Sequence, residues 1–162
     1  MKHKGCAEYV PEGDLTIEQI IAKEVTHSLK ASDPWAITEA SYVMSEALSG
    51  VLKPILIPIP SSVGDTRDNY RLSHAIIDRL GHGRVVDVLT RLRSVASSCD
   101  LRSQGLPGVH PDHHHMALKR KLKCADEGTI IMIDNLVATG ATFDAAAKLL
   151  PGAVGLAYAQ ES

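Results

Sequence analysis

"IIMIDNLVATGATF", residues 130–143, joins a short apolar run to an acid, an amide and a turn of small residues. The apolar run has the length of a strand buried in a parallel sheet, and the alanine-rich residues after the turn are typical of a helix. Gly140 allows the backbone to approach a ligand closely, because glycine has no side chain. The N–H groups that open the helix point outward, and Thr139 and Thr142 add hydroxyl donors. This turn is therefore predicted to bind a phosphate.

Asp134 and Asn135 lie just upstream of the turn, at the predicted end of the strand. Their side-chain oxygens can accept hydrogen bonds from sugar hydroxyls or hold a hydrated Mg²⁺. A phosphate site beside such a pair predicts a sugar phosphate as the ligand. The alternative is an ordinary strand-to-helix turn in which Thr142 is the N-cap residue.

Four apolar runs along the chain have the length and composition of strands. They are "PILIPIP" at 54–60, "RVVDVL" at 84–89, "TIIMI" at 129–133 and "AVGLAYA" at 153–159. Segments with helical spacing of apolar residues separate them. This alternation predicts an α/β fold, a mostly parallel sheet with helices on both faces. Ligands of such sheets bind at the carboxyl ends of the strands, where residues 60–68 and 134–142 both lie.

The chain before the first of these strands is predicted to be mainly helical. A capping-box pattern, Thr16 with Gln19, opens an amphipathic helix, and Asp33 followed by proline opens a second one. We therefore divide the chain into an N-terminal helical segment, residues 1–50, and a core, residues 51–162.

Residues 94–120 show no regular spacing of apolar residues and are rich in Ser, Gly, Pro and His. A loop of this length in a compact domain is more often functional than idle. We predict a long mobile loop or a mobile hairpin that contributes to the site.

Length, charge and cysteine content exclude several classes of protein. A chain of 162 residues suffices for one domain, and a net charge of -2 provides no general attraction for nucleic acid. Cys6, Cys99 and Cys124 form no CxxC pair, so neither a disulfide framework nor a thiolate zinc site is indicated. No run of about 18 apolar residues is present. We expect a cytoplasmic protein that is neither secreted nor inserted in a membrane.

The stretch "IIMIDNLVATGAT" resembles the phosphoribosyl pyrophosphate (PRPP) binding motif of the type I phosphoribosyltransferases. In that motif an apolar strand is followed by two acids, three variable residues and T-G-x-T. "ILIPIPSSVGDTRDN" stands in the place of the family's pyrophosphate loop, and residues 94–120 stand in the place of its flexible catalytic loop. Within the family, "IPIPSS" and "VLTRLRSVASS" are most similar to the competence-protein F-like branch.

The resemblance implies an enzyme that transfers ribose 5-phosphate from PRPP to a nitrogen base, releases pyrophosphate, uses Mg²⁺ and forms a homodimer. Asp134 would meet a ribose hydroxyl and hold Mg²⁺ through water. The residues that would wrap the 5-phosphate are Ala138, Thr139, Gly140, Ala141 and Thr142. Asn135 stands where the family usually has a second acid, which removes one negative charge from the site. The helices before residue 50 are the candidate hood over the base.

Three further groups of side chains are candidates for the same ligand. Ser61 and Ser62 would belong to the pyrophosphate loop, although a polar turn before a helix explains them nearly as well. Arg91 and Arg93 are two residues apart at a strand end and should point the same way, as a pyrophosphate clamp or as a solvated rim. Arg102, in the long loop, is expected to close over pyrophosphate.

"HPDHHH", residues 110–115, contains half of the eight histidines and suggests a zinc site. Adjacent histidines of an extended segment cannot all face one metal, because their side chains alternate. The alternative is a loop edge that binds phosphate or faces water. For the protein as a whole, two further hypotheses are a non-catalytic module that senses PRPP or a nucleotide, and an accessory protein in DNA uptake or processing.

Overall fold

A computed structural model of the chain describes residues 2–96, 101–102, 104–107, 109–122 and 127–161. The helices and strands follow one another along these residues in a largely alternating order. They are β1 (His3–Tyr9), α1 (Ile17–Leu29), α2 (Pro34–Leu48), β2 (Pro54–Pro58), α3 (Arg67–Leu80), β3 (Arg84–Val85), β4 (Leu89–Arg91), a 3₁₀ turn (Pro111–His114), β5 (Met116–Leu118), β6 (Thr129–Val137), α4 (Ala141–Ala147) and β7 (Val154–Glu161).

Five strands form one sheet in the order β1-β7-β6-β2-β3, and every neighbouring pair is parallel. On one face Leu56 and Ile131 are buried in a cluster with residues of α1, α2 and α3. On the other face Ile55 and Met132 are buried in a second cluster with α4 and the β4–β5 hairpin. Consecutive strand residues therefore point to opposite faces, and both faces are covered. The predicted α/β fold with a mostly parallel sheet and helices on both faces is confirmed.

The helix ends follow from their capping residues, as predicted. Thr16 and Gln19 form a complete capping box at the start of α1. The Asp33 carboxylate accepts a hydrogen bond from the Trp35 N–H at 2.8 Å, next to a proline at the first position of α2. Gly81 ends α3 in the left-handed conformation, which glycine adopts without steric cost.

Strand β1 is the main difference from the sequence prediction, which gave mainly helices for residues 1–50. His3–Tyr9 pairs with β7 as an edge strand of the sheet, and most of its residues are only partly buried. An edge strand needs few apolar residues, so that no apolar run marks it. Helices α1 and α2 share the buried cluster of α3 and the sheet. Their role as a hood stays a prediction.

Residues 94–120 include one strand of an antiparallel hairpin, in which β5 pairs with β4. Three residues are too short to show a strand period in the sequence. The predicted strand at 84–89 is split, with β3 in the main sheet and β4 in this hairpin. Part of the predicted mobile loop, residues 97–100, 103 and 108, lies outside the described residues.

Two of the three cysteines, Cys99 and Cys124, also lie outside the described residues, whereas Cys6 is a half-buried free thiol. Burial raises the pKa of that thiol, and the nearby Lys4 opposes the effect. Within the described parts of the chain, no helix combines the length and apolar character needed to cross a membrane.

Candidate active site

The candidate site lies where β2 and β6 separate at the carboxyl end of the sheet. Their last paired residues are Pro58 and Ile133, and the last bond between the strands runs from the Ile59 N–H to the Ile133 carbonyl, at 2.9 Å. Strand β6 continues beside β7 as far as Val137. Asp134 and Asn135 therefore lie within β6 rather than after it, on a part of the strand that has β7 on one side and a crevice on the other.

The crevice is a pocket of about 350 Å³. It brings together residues that the sequence analysis selected from three separate stretches of the chain. Those that line it are Ser61, Ser62, Arg91, Asp134, Asn135, Ala138, Thr139, Gly140 and Thr142. Ala141, Arg93 and Arg102 were also selected, but they are not among the lining residues.

Asp134 is the most perturbed acid of the site. Burial raises the pKa of its carboxyl from 3.8 to about 6. Hydrogen bonds from Asn69 and from the Asn135 N–H oppose this rise, and so do the charges of Arg91 and Lys30. A carboxylate with such a pKa is mostly ionised at pH 7. It can then accept hydrogen bonds from the hydroxyls of a sugar.

Asn69 is a site residue that the sequence analysis missed. It is 8% exposed, lines the pocket, and donates from Nδ2 to the Ile59 carbonyl at 2.8 Å and to Asp134 Oδ1 at 3.1 Å. A signal was present, because Asn69 stands on the buried stripe of α3 that Leu72 and Ile76 continue at helical spacing. A buried amide on an apolar stripe needs specific partners.

Arg91 forms hydrogen bonds with two segments that line the pocket. Its Nε donates to the Ser61 carbonyl at 2.8 Å, and its Nη1 donates to the His114 carbonyl at 2.8 Å and lies 2.9 Å from His114 Nδ1. Burial lowers the pKa of this guanidinium, and the charge of Asp134 opposes that effect. Arg91 thus joins the turn after β2 to the 3₁₀ turn before β5.

Arg93 differs from Arg91 in its surroundings. Strand β4 ends at Arg91, so the alternation of a strand no longer relates the two side chains. Arg93 is exposed and lies outside the pocket lining. The solvated-rim alternative describes it.

Ser61 and Ser62 lie in a tight turn after β2. The Ser61 N–H donates to the Asp65 carbonyl at 2.8 Å, and the Gly64 N–H donates to the Ser61 carbonyl at 2.9 Å. The Ser61 hydroxyl is buried and has no hydrogen-bond partner among the described residues. A buried hydroxyl in a pocket wall is available to a ligand, because it would otherwise stay unpaired.

The turn at residues 138–142 has the conformation that the sequence predicts. Gly140 has a φ of 78°, which favours glycine, and a Cβ at this position would lie 2.6 Å from Cε1 of the His3 ring. The Ala141 N–H bonds to the Thr139 hydroxyl at 3.3 Å. Since α4 has only seven residues, we assign any anion binding to individual N–H and hydroxyl donors of this turn rather than to the helix dipole.

Arg102 contacts the same turn from outside the pocket. Its Nη1 donates to the Ala138 carbonyl at 3.2 Å, and its Nε lies 3.4 Å from the Glu161 carboxylate, whose side chain is 7% exposed. This arrangement places Arg102 beside the turn at residues 138–142. Its predicted closure over pyrophosphate stays a prediction.

The histidine-rich segment is divided by the fold. His114 is buried beside Arg91, whereas His110 and His113 are exposed with their ring centroids 5.8 Å apart. Asp112 pairs with Lys148 and lies 3.4 Å from His110 Nδ1.

Burial, reinforced by the charge of Arg91, lowers the pKa of His114 to about 4, although a backbone hydrogen bond with Val109 opposes this. In the described parts of the chain no three His, Cys, Asp or Glu side chains are grouped to hold a metal.

The residues of this pocket fit Mg²⁺ as a partner of a phosphate ligand. Asp134 uses Oδ1 for its bonds to Asn69 and Asn135, and Asp65 and Asp68 also line the pocket. Mg²⁺ is commonly held by one or two carboxylates together with substrate phosphates and water. The donor set of this pocket agrees with that pattern.

No family model and no curated protein matches the sequence. Seventeen chains of solved structures match the fold. One is an adenine phosphoribosyltransferase from Thermoanaerobacter pseudethanolicus, with a TM-score of 0.45 and 16% sequence identity over 93% of this chain and 91% of that chain. What the pocket can bind follows from its own residues.

Proposed function

We propose that this protein is a Mg²⁺-dependent phosphoribosyltransferase, which transfers the ribose 5-phosphate of PRPP to a nitrogen base and releases pyrophosphate. The observation that carries the proposal is the meeting of two kinds of group in one pocket. Asp134 and Asn135 provide acceptors for sugar hydroxyls, and residues 138–142 provide backbone and hydroxyl donors for a phosphate. A ligand with both chemical features is a sugar phosphate.

The turn after β2 would bind the pyrophosphate group of the ligand. Strands β2 and β6 are neighbours, so the turns that follow them are adjacent in space. The buried Ser61 hydroxyl can donate to a phosphate oxygen, and Lys30 and Arg91 line the same pocket as cations. These groups would offset the negative charge of the departing pyrophosphate.

Catalysis in this proposal is mainly positioning and electrostatics. The turn at 138–142 fixes the 5-phosphate, and Asp134 orients the ribose and stabilises positive charge that develops on the sugar. No covalent nucleophile of the protein is required. Mg²⁺ bound to the ligand would neutralise phosphate charge.

A second candidate is a non-catalytic module that binds PRPP or a nucleotide. Asn135 favours it, because an amide stands beside Asp134 where a second carboxylate would strengthen the stabilisation of a cationic transition state. Pyrophosphate release with any nucleobase would separate a transferase from this module.

The proposal is tested by titrating the protein with PRPP in the presence and absence of Mg²⁺ by calorimetry. We expect Mg²⁺-dependent binding by the wild-type protein and about 10- to 100-fold weaker binding by Asp134→Ala, because a charged hydrogen-bond acceptor is lost. Asp78→Ala is the matched control, since Asp78 is exposed on α3 and does not line the pocket. Circular dichroism would establish that both variants are folded.

Two results would contradict the proposal. The first is an absence of binding by the wild-type protein at millimolar PRPP. The second is wild-type affinity in a folded Asp134→Ala variant, which would remove the ribose site from residues 134 and 135.

A further inference from the structure

Asn69 connects two strands at the point where their own hydrogen bonding stops. The last bond between the two strands runs from the Ile59 N–H to the Ile133 carbonyl, and the chain after β2 then separates from β6. The Asn69 side chain spans this opening, because its Nδ2 group reaches the Ile59 carbonyl after β2 and the Asp134 carboxylate on β6. The Asn69 amide thus connects the two segments where backbone hydrogen bonds between β2 and β6 are absent.

The orientation of this amide is fixed by its partners. A carbonyl and a carboxylate both accept hydrogen bonds, so the NH₂ group and not the oxygen of Asn69 must face them. The two hydrogens of Nδ2 suffice for the two bonds. The Ser73 hydroxyl donates to the Asn69 backbone carbonyl at 2.6 Å and fixes the residue from the next turn of α3.

The same contact orients the carboxylate of Asp134. Asn69 Nδ2 and the Asn135 N–H, at 3.1 Å and 2.8 Å, both donate to Oδ1. Two donors on one oxygen restrict rotation of the carboxyl group and leave Oδ2 for a ligand. A carboxylate fixed in this way binds a sugar hydroxyl with less loss of side-chain entropy.

We infer that Asn69 is a positioning residue of the ribose site. It acts on the ligand through Asp134 and not through the turn at residues 138–142. The inference rests on the proposed function, because it assumes that the ligand is a ribose 5-phosphate. It predicts that loss of the amide weakens recognition of the sugar and leaves recognition of the phosphate intact.

Asn69→Leu tests this inference, since leucine has nearly the same size and no donor. Two ligands, ribose 5-phosphate and inorganic phosphate, are titrated separately into the wild-type protein and the variant, with amide NMR signals of residues 138–142 as the readout. We expect about tenfold weaker binding of ribose 5-phosphate, as for a lost bond to a charged group, and unchanged binding of phosphate. Ser73→Ala is the matched control, because it alters the same turn of α3 without touching Asp134 and should bind both ligands normally.

The possible outcomes are distinguishable. Equal weakening for both ligands would indicate a general structural role, and unchanged binding of both would indicate no role, so either result overturns the inference alone. Failure of the wild-type protein to bind ribose 5-phosphate would overturn the inference, whereas the proposed function is decided separately by the PRPP titration. If Asn69→Leu does not fold, Asn69→Ser replaces it and is judged by the same criteria. The shorter serine hydroxyl cannot reach both the Ile59 carbonyl and the Asp134 carboxylate.

Discussion

Residues 134–142 and residues 110–115 are both rich in polar side chains, but the fold gathers the first set and divides the second. Most of residues 134–142 line one pocket, because the end of a strand and the turn after it stay together in any sheet. Of residues 110–115, only His114 reaches the pocket, and its neighbours face solvent. Polar groups at strand ends therefore predict a site better than the number of histidines in a loop.

The two segments also place one buried titratable group each near Arg91. Burial raises the pKa of Asp134 to about 6 and lowers the pKa of His114 to about 4. The cause is the same in both cases, because burial disfavours the charged form, which is the deprotonated acid and the protonated base. Arg91 opposes the shift of the acid and reinforces that of the base.

The largest expected effect is a pair of opposite pH dependences of stability. The folded protein binds a proton at Asp134 more tightly than the unfolded chain does, so this contribution to stability is lost as pH rises from about 3.8 to 6. His114 binds its proton less tightly when folded, so its contribution is lost as pH falls from 6.5 to about 4. Each contribution is up to about 3 kcal/mol, and in the wild-type protein they largely cancel.

Urea unfolding between pH 4 and pH 7 would separate the two groups. In Asp134→Asn the free energy of unfolding should rise more steeply with pH than in the wild-type protein. In His114→Asn, which keeps an acceptor for Arg91, it should fall as pH rises from 4 to 6. Wild-type slopes in both variants would show that the two segments do not differ in this way.

A smaller effect is expected from Gly140→Ala in the turn at residues 138–142. The substitution places a side chain at a φ of 78° and a Cβ 2.6 Å from the His3 ring, so it should cost about 2 kcal/mol of stability. His3→Ala in the same chain should recover the part that is due to the ring and not the part that is due to the backbone. Melting temperatures of the single and double variants would measure both, and additive losses would exclude the His3 contact.

The smallest effect is expected from His113→Ala in the histidine-rich segment. His113 is exposed, so its removal should change stability by less than about 0.5 kcal/mol. Zn²⁺ should raise the melting temperature of neither the variant nor the wild-type protein, because His114 is buried against Arg91 whereas His110, His113 and His115 are exposed. A Zn²⁺-dependent rise that disappears in His113→Ala would restore the zinc hypothesis.

The sequence predicted features that depend on neighbours along the chain. The capping box at Thr16 and the start of α2 at Asp33 and its following proline are local patterns, and the structure contains both. Strand β1 escaped prediction because its stability comes from pairing with β7 rather than from its own residues. Strand β4 ends two residues before Arg93, so the alternation of a strand does not extend to Arg93, which lies outside the pocket lining.

The sequence by itself determined the α/β class of the fold and the turn at Gly140, because strand length, helix caps and the need for glycine are properties of short segments. The tertiary structure decided which side chains support Asp134. Asn69 and Asp134 are 65 residues apart, and Arg91 and His114 are 23 residues apart. Local spacing contains no information about such pairs, since only the packing of α3 and the β4–β5 hairpin against the sheet brings them into contact.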